Sequence, residues 1–176
     1  MTFLLALLLT PLGDTSKFPP QKQSQMLYEL IMEYREQKSG LPYIKKNDSL
    51  DYVALRHCED LINYYADTTC NLWSWSAPDA NLLTGCPNKS PHGMKIMYYK
   101  PWELKRLNQP GFEMIHMHVD KSETCSPTCA FQHFRKDPLF NDMMLEKDDF
   151  DEGWKKIGAW IKGPVASVWF TNQSFK

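Results

Sequence analysis

The chain has 176 residues, 20 Lys and Arg against 21 Asp and Glu, a formal net charge of -1, and 43% hydrophobic and 13% aromatic residues; that size fits one globular domain and leaves little room for two. With a pI near 6.5 and no Lys/Arg run, nothing in it attracts nucleic acid or an anionic membrane, so both are excluded as first readings. A mean hydropathy of -0.49, with 12 Pro and 8 Gly in no regular period, also excludes collagen-like and disordered classes.

Residues 2–13 (TFLLALLLTPLG) are uncharged and too short for a bilayer span of about 20 residues. Residues 1–16 as a whole read as a secretory signal peptide, without a basic n-region or an A-x-A cleavage site. The competing reading is an apolar segment packed on the domain. Residues 17–24 (KFPPQKQS) read as a polar linker, and residues 25–176 as a single domain.

Within it, Met26, Leu27, Leu30, Ile31 and Tyr34 form one helical stripe that Gly40 and Pro42 terminate. A second helix is predicted after Asn47 or Asp48, either able to cap it, carrying Leu50, Val53, Ala54, His57, Leu61 and Tyr65 on its apolar face. Residues 68–99 turn to Asn, Pro, Gly, Ser and Cys, an irregular stretch of a length that builds a site or needs a staple, and Cys70 and Cys86 are placed to supply one. Pro101 reads as the first position of a short helix that Pro110 and Gly111 end. Residues 112–119 (FEMIHMHV) read as a strand, and residues 128–135 as a helix opened by Pro127 and broken at Asp137-Pro138.

The acids of residues 146–152 read as a solvated turn. Residues 154–161 and 165–170 then make a hairpin around Lys162-Gly163-Pro164. In its second arm Val165, Ser167 and Trp169 face one way and Ala166, Val168 and Phe170 the other; neither set is very polar, which predicts a central strand covered on both sides. Helices first, a strand in the middle and a terminal hairpin predict an α+β fold, with helices packed on a small, mostly antiparallel sheet.

Five cysteines, Cys58, Cys70, Cys86, Cys125 and Cys129, suit an exported protein with one or two disulfides and at least one thiol left over. His57 reads as a hydrogen-bonded core residue and His92 as a loop residue. His116 and His118 share one face of a strand, and Cys125, Cys129 and His133 follow at four-residue steps. These groups could form a Cys/His zinc site, with His116, His118, Cys129 and His133 as its main candidates. Because C-x3-C departs from the common C-x2-C knuckle, a disulfide or free thiol is the simpler reading. Ser74 and Ser76 lack a nucleophile elbow, and no P-loop, dinucleotide fingerprint or H-E-x-x-H is present, so no cofactor is indicated.

Several segments occur in a familiar order: Glu33-Tyr34-Arg35, Gly40-Leu41-Pro42, Leu50 to His57, Asp60-Leu61 and Cys70-Asn71-Leu72-Trp73-Ser74-Trp75-Ser76. Downstream come Lys100-Pro101, Gly111-Phe112-Glu113, Asp137-Pro138 with Asn141, Ile157-Gly158 and residues 165–170. Over roughly residues 25 to 171 the chain resembles the bacterial branch of the CAP superfamily, the cysteine-rich secretory, antigen-five and pathogenesis-related proteins with an SCP-like domain. The resemblance implies a three-layer α-β-α sandwich, usually secreted, whose cavity holds a divalent metal between two histidines and acidic residues.

Here Trp73 stands where such relatives have the first histidine and Phe140 where they have the second; Glu113 matches the first cavity acid, and Gln132 lies where a second would be sought. One carboxylate between two aromatic rings cannot hold zinc, so the inherited metal site is expected to be lost. Trp73, Glu113, Phe140 and Trp75, with Tyr98, Tyr99 and Trp102 nearby, are the candidates for an apolar ligand groove, against the alternative that they fill the core. The expected function is a secreted, periplasmic or cell-envelope binding module, monomeric and without a cofactor or inherited catalysis, for a protein, peptide or lipid-like ligand. The alternative is a metal-dependent or hydrolase-like enzyme with a relocated site around Glu113, His116, His118 and His133. A pore-forming or sterol-binding role, as in some relatives, rests on aromatic content alone.

Overall fold

In the computed structural model, which describes residues 17–65, 70–76, 82–151 and 153–172, the elements are α1 (Pro20–Ser39), β1 (Lys45–Lys46), α2 (Asp48–Tyr64), α3 (Pro91–Lys105), β2 (Phe112–Met117), α4 (Pro127–Lys136), α5 (Pro138–Met144), a 3₁₀ turn (Asp148–Phe150), β3 (Lys156–Lys162) and β4 (Val165–Thr171). The expected leader, residues 1–16, lies outside the described residues.

Prolines set the helix starts. α1, α3, α4 and α5 each begin at one, where the missing N–H would have had no intrahelical partner. Ser90, Ser126 and Asp137 accept from the first-turn N–H groups of α3, α4 and α5, and Asn47 does so for α2. This corrects three sequence expectations. The supposed linker is helical from Pro20, with Gln23 and Ser24 already buried. α3 starts at Pro91 and runs through Pro101, so the irregular stretch is shorter than its composition suggests. Asp137-Pro138 ends α4 and also starts α5, because Asp137 caps the new helix.

The sheet order is β1-β3-β4-β2, with β1 parallel to β3 and the other pairs antiparallel. Every residue of β4 is buried. Ala166, Val168 and Phe170 meet Leu27 and Ile31 of α1, Phe134 of α4 and Met144 of α5 in one core. On the opposite face Trp169 packs with Leu50, Val53 and Ala54 of α2 and Met97 of α3, and Val165 with Cys58, Leu61 and Ile115. The two faces of β4 divide as the alternation predicts, giving an α-β-α sandwich.

β1 covers only the first two residues of β3, and helices cover the rest of that edge. Asp51 Oδ1 accepts from Ala159 N–H at 2.8 Å and Ser24 Oγ accepts from Ile161 N–H at 3.3 Å. α2 comes this close because Gly158 has no side chain: a Cβ there would collide with the backbone of Leu50 and Asp51. The irregular segment after α2 is stapled by Cys70–Cys86, as expected, and Cys58, Cys125 and Cys129 are free thiols. No helix among the described residues is long and apolar enough to cross a membrane.

Trp169→Ala should lower unfolding free energy by about 3–5 kcal/mol in denaturant titration, the range for a large aromatic lost from a core. Gly158→Ala adds only a methyl group and should still cost about 1–3 kcal/mol, because it forces α2 off β3. A loss under half a kilocalorie per mole in the second variant, roughly the size of an ordinary surface substitution, would contradict the backbone contact.

Candidate functional site

β2 is an edge strand, paired only with β4, and its alternation sends neighbouring side chains to different layers. Glu113 points toward α2 and is 1% exposed. Its Oε1 lies 2.6 Å from His57 Nδ1 and accepts from Ser167 Oγ at 2.6 Å. His57 Nε2 lies 3.0 Å from the Ser74 carbonyl oxygen. Both ring nitrogens therefore face oxygen atoms, and the buried imidazole is hydrogen-bonded at each end. Trp75 stacks on the His57 ring at 4.2 Å with 11° between the planes, sealing the pair. His57 is thus the bonded core residue its helical position predicts. Its partner, 56 residues away, had one sequence signal: two ionisable residues on apolar faces must find each other when both are buried.

A groove runs beside β2, with a volume of about 590 Å³. Trp73, Ile115, Met117, Val119 and Phe140 supply its apolar wall, and His116, His118, Cys129 and His133 lie along another side. Trp73 is held by donation from its indole N–H to the Glu113 carbonyl at 3.1 Å. Phe140 is set at the first turn of α5, where its N–H reaches Asp137 Oδ1. The two rings meet edge to face, 6.0 Å apart at 89°. The two positions matched to family histidines are therefore neighbours.

The other groove candidates lie elsewhere. Glu113 does not line the groove, being enclosed behind Trp73 with His57, and Trp75 is 5% exposed within the α2-side core. Tyr98, Tyr99 and Trp102 border a separate cleft of about 340 Å³ with Leu107. The continuous aromatic groove expected from composition is thus two clefts and a buried stack.

Past the end of β2, one ligand atom from each of His116, His118, Cys125 and Cys129 falls within 4.8 Å of all the others. Burial and the neighbouring His133 and His118 push the His116 pKa down to about 4. Burial, chiefly, and Cys129 push the Cys125 thiol up to about 12. His133 is exposed and its ring lies 3.9 Å from that of His116, outside the group. Cys125 precedes α4 instead of sitting on it, so the four-residue steps from Cys125 to His133 do not describe one helical face. Of Glu113, His116, His118 and His133, considered together for an enzyme, the three histidines adjoin, with ring centroids 5.1 Å (His116–His118) and 3.9 Å (His116–His133) apart, while Glu113 lies in the α2 layer. Cys125 and Cys129 do not form the disulfide that their spacing allows.

No protein-family model and no curated protein sequence matches the chain. Solved structures do. A cysteine-rich secretory protein from Staphylococcus aureus aligns at a TM-score of 0.55 and 12% identity, over 88% of this chain and 40% of its own. An outer surface protein from Borrelia burgdorferi aligns at 0.60 and 14%, over 89% and 97%. An extracellular SCP-domain protein from Bacillus anthracis aligns at 0.60 and 14%, over 88% and 41%. The chain spans about two fifths of the length of the staphylococcal and Bacillus proteins and nearly the whole Borrelia protein. It has the CAP-superfamily fold.

Glu113→Gln should lower stability by about 1–3 kcal/mol, the cost of disturbing a buried, hydrogen-bonded polar pair. Paired with His57→Gln in a double-mutant cycle, the two losses should fall short of additivity by at least about 1 kcal/mol. Additive losses would mean that the two side chains do not interact.

Proposed function

We propose that the protein is a binding module on a CAP scaffold, taking an apolar ligand into the groove beside β2, with the metal cavity of the superfamily degenerate and its catalysis not inherited. The observation that carries this is the edge-to-face pair of Trp73 and Phe140 in the wall of an open groove, at the two positions where imidazoles would otherwise gather a metal. Aromatic and aliphatic walls with a few polar groups at one side suit a ligand with an apolar body and a polar end. Glu113 supports this reading through its place, 1% exposed behind Trp73 with its Oε1 bonded to His57 and Ser167, away from the groove. An extracellular or cell-envelope location fits the Cys70–Cys86 disulfide, and the similar structures are named as secretory, outer-surface and extracellular proteins.

An anilinonaphthalene sulfonate probe should bind saturably at one site per chain. Val119 lines the groove and is fully exposed, so Val119→Asp should leave the melting temperature unchanged while weakening the probe about tenfold, ~1.4 kcal/mol. Tyr99→Asp in the separate cleft should leave affinity as it is. Equal affinity in wild type and Val119→Asp would refute the assignment of the groove.

A further inference from the structure

We propose that His116, His118, Cys125 and Cys129 form a Cys2His2 site for one zinc-type divalent cation, structural in role, tying the end of β2 to the first turn of α4. This does not rest on the binding function proposed above. It involves none of the residues matched to the superfamily's cavity.

The four donors come from separate places: the strand end, the loop after it, the residue before the α4 cap and the first turn of α4. The chain between them could carry these side chains apart. Instead their ligand atoms all lie within 4.8 Å of one another. His118 Nε2 is 3.6 Å from Cys129 Sγ. Around a tetrahedral zinc, with Zn–N of about 2.1 Å and Zn–S of about 2.3 Å, adjacent donors stand roughly 3.6 Å apart. That pair is already at the separation a shared ion requires, and the others need to close by about an ångström or less.

The imidazoles are prepared for it. His118 Nδ1 lies 3.2 Å from Glu123 Oε2; an ionised carboxylate only accepts, so Nδ1 keeps its hydrogen and Nε2 presents a lone pair toward Cys129. A carboxylate behind a histidine is the arrangement that fixes tautomer and ring direction in metal sites. His116 is 7% exposed, and its Nε2 is buried without a hydrogen-bond partner. Buried ring nitrogens are ordinarily satisfied, and this one has no protein partner.

Sulfur and imidazole donors together select zinc over calcium or magnesium, which require oxygen ligands. Four protein donors close a tetrahedral site and leave no position for water or substrate, the pattern of structural zinc. What the ion would hold is an exposed loop, residues 119–124, anchored at its ends by His118 N–H to the Pro164 carbonyl at 3.0 Å and Cys125 N–H to the Gly163 carbonyl at 2.8 Å. His116, His118 and Cys129 also line the groove, so the metal would stiffen one of its walls.

The full chain, with the Cys70–Cys86 disulfide intact and Cys58, Cys125 and Cys129 as free thiols, should retain one zinc per molecule after desalting. Cobalt titration should give a thiolate-to-metal charge-transfer band and the intense visible bands of a tetrahedral centre, saturating at one equivalent. Cys129→Ser should lose about half of the charge-transfer intensity, one of two thiolates remaining, and bind at least about a hundredfold more weakly, beyond the 10–100-fold of an orienting partner. Glu123 is 61% exposed in its side chain, so Glu123→Gln should fold normally and weaken the metal about tenfold or more. Cys58→Ala should keep both stoichiometry and spectrum. Zinc below one equivalent in wild type with its thiols free, a cobalt spectrum without thiolate charge transfer, or unchanged affinity in Cys129→Ser would overturn the site.

Discussion

The architecture depends on how α2 meets the open edge of β3. β1 pairs with only Lys156 and Ile157, so the following N–H groups of β3 have no strand to donate to. A buried amide without a partner costs about 1–3 kcal/mol. Asp51 and Ser24 take those donors instead, and the Asn47 N–H occupies the Ile157 carbonyl at 2.8 Å. Burial raises the Asp51 carboxyl above its ordinary range, against the opposing pull of the Ala159 N–H and of Lys46, whose Nζ lies 3.1 Å from Oδ2. The helix therefore commits a desolvated acid to the strand, and the bare Cα of Gly158 makes the distance short enough. An edge closed by helices is also closed to pairing with another chain.

Fixing α2 at that edge fixes what it carries across the sheet. His57, less than two turns beyond Asp51, reaches over β4 to Glu113 on β2, and Ser167 of β4 joins the same oxygen. A buried hydrogen-bonded pair adds little net stability against an apolar replacement, but it penalises every arrangement that leaves its members without partners. Here it selects one register of α2 over the sheet. The Ser74 carbonyl and the Trp75 ring complete the enclosure, and both belong to the segment that Cys70–Cys86 and the Trp75–Gly85 bridge hold. Trp73 then has one place to go, with its indole N–H on the Glu113 carbonyl and its ring in the groove. The groove wall is thus a consequence of the buried pair behind it.

What was legible in the sequence was what repeats locally. The Asn47 cap, the stripe of α2 and the two faces of β4 follow from spacings of a few residues, and each reappears in the structure. Proline was ambiguous because one ring can begin a helix or end one. Pro20, Pro91 and Pro138 begin helices, and Pro101 is carried inside one, so the helix starts were displaced and α5, seven residues long, was missed. Contacts across the fold had no local signature. The meeting of Trp73 with Phe140 depended on the family resemblance, and the exchange of His133 for Cys125 in the cysteine–histidine cluster depended on where α4 begins.

Strand parity decides the remaining question, whether Glu113 and the histidines of the same strand can serve one centre. Side chains three positions apart on a strand point to opposite faces. Glu113 turns into the α2 layer and His116 away from it, with His118 continuing beside His116 at a ring separation of 5.1 Å. A general acid or base and a metal-bound water must approach the same substrate atom within hydrogen-bond reach. Here the edge strand itself stands between the carboxylate and the imidazoles of His116 and His118. The acid is occupied in holding α2, while the histidines face thiols at the far end of the groove. On the groove side Trp73, Ile115, Met117 and Phe140 adjoin those histidines, so any chemistry the imidazoles join draws on partners other than Glu113.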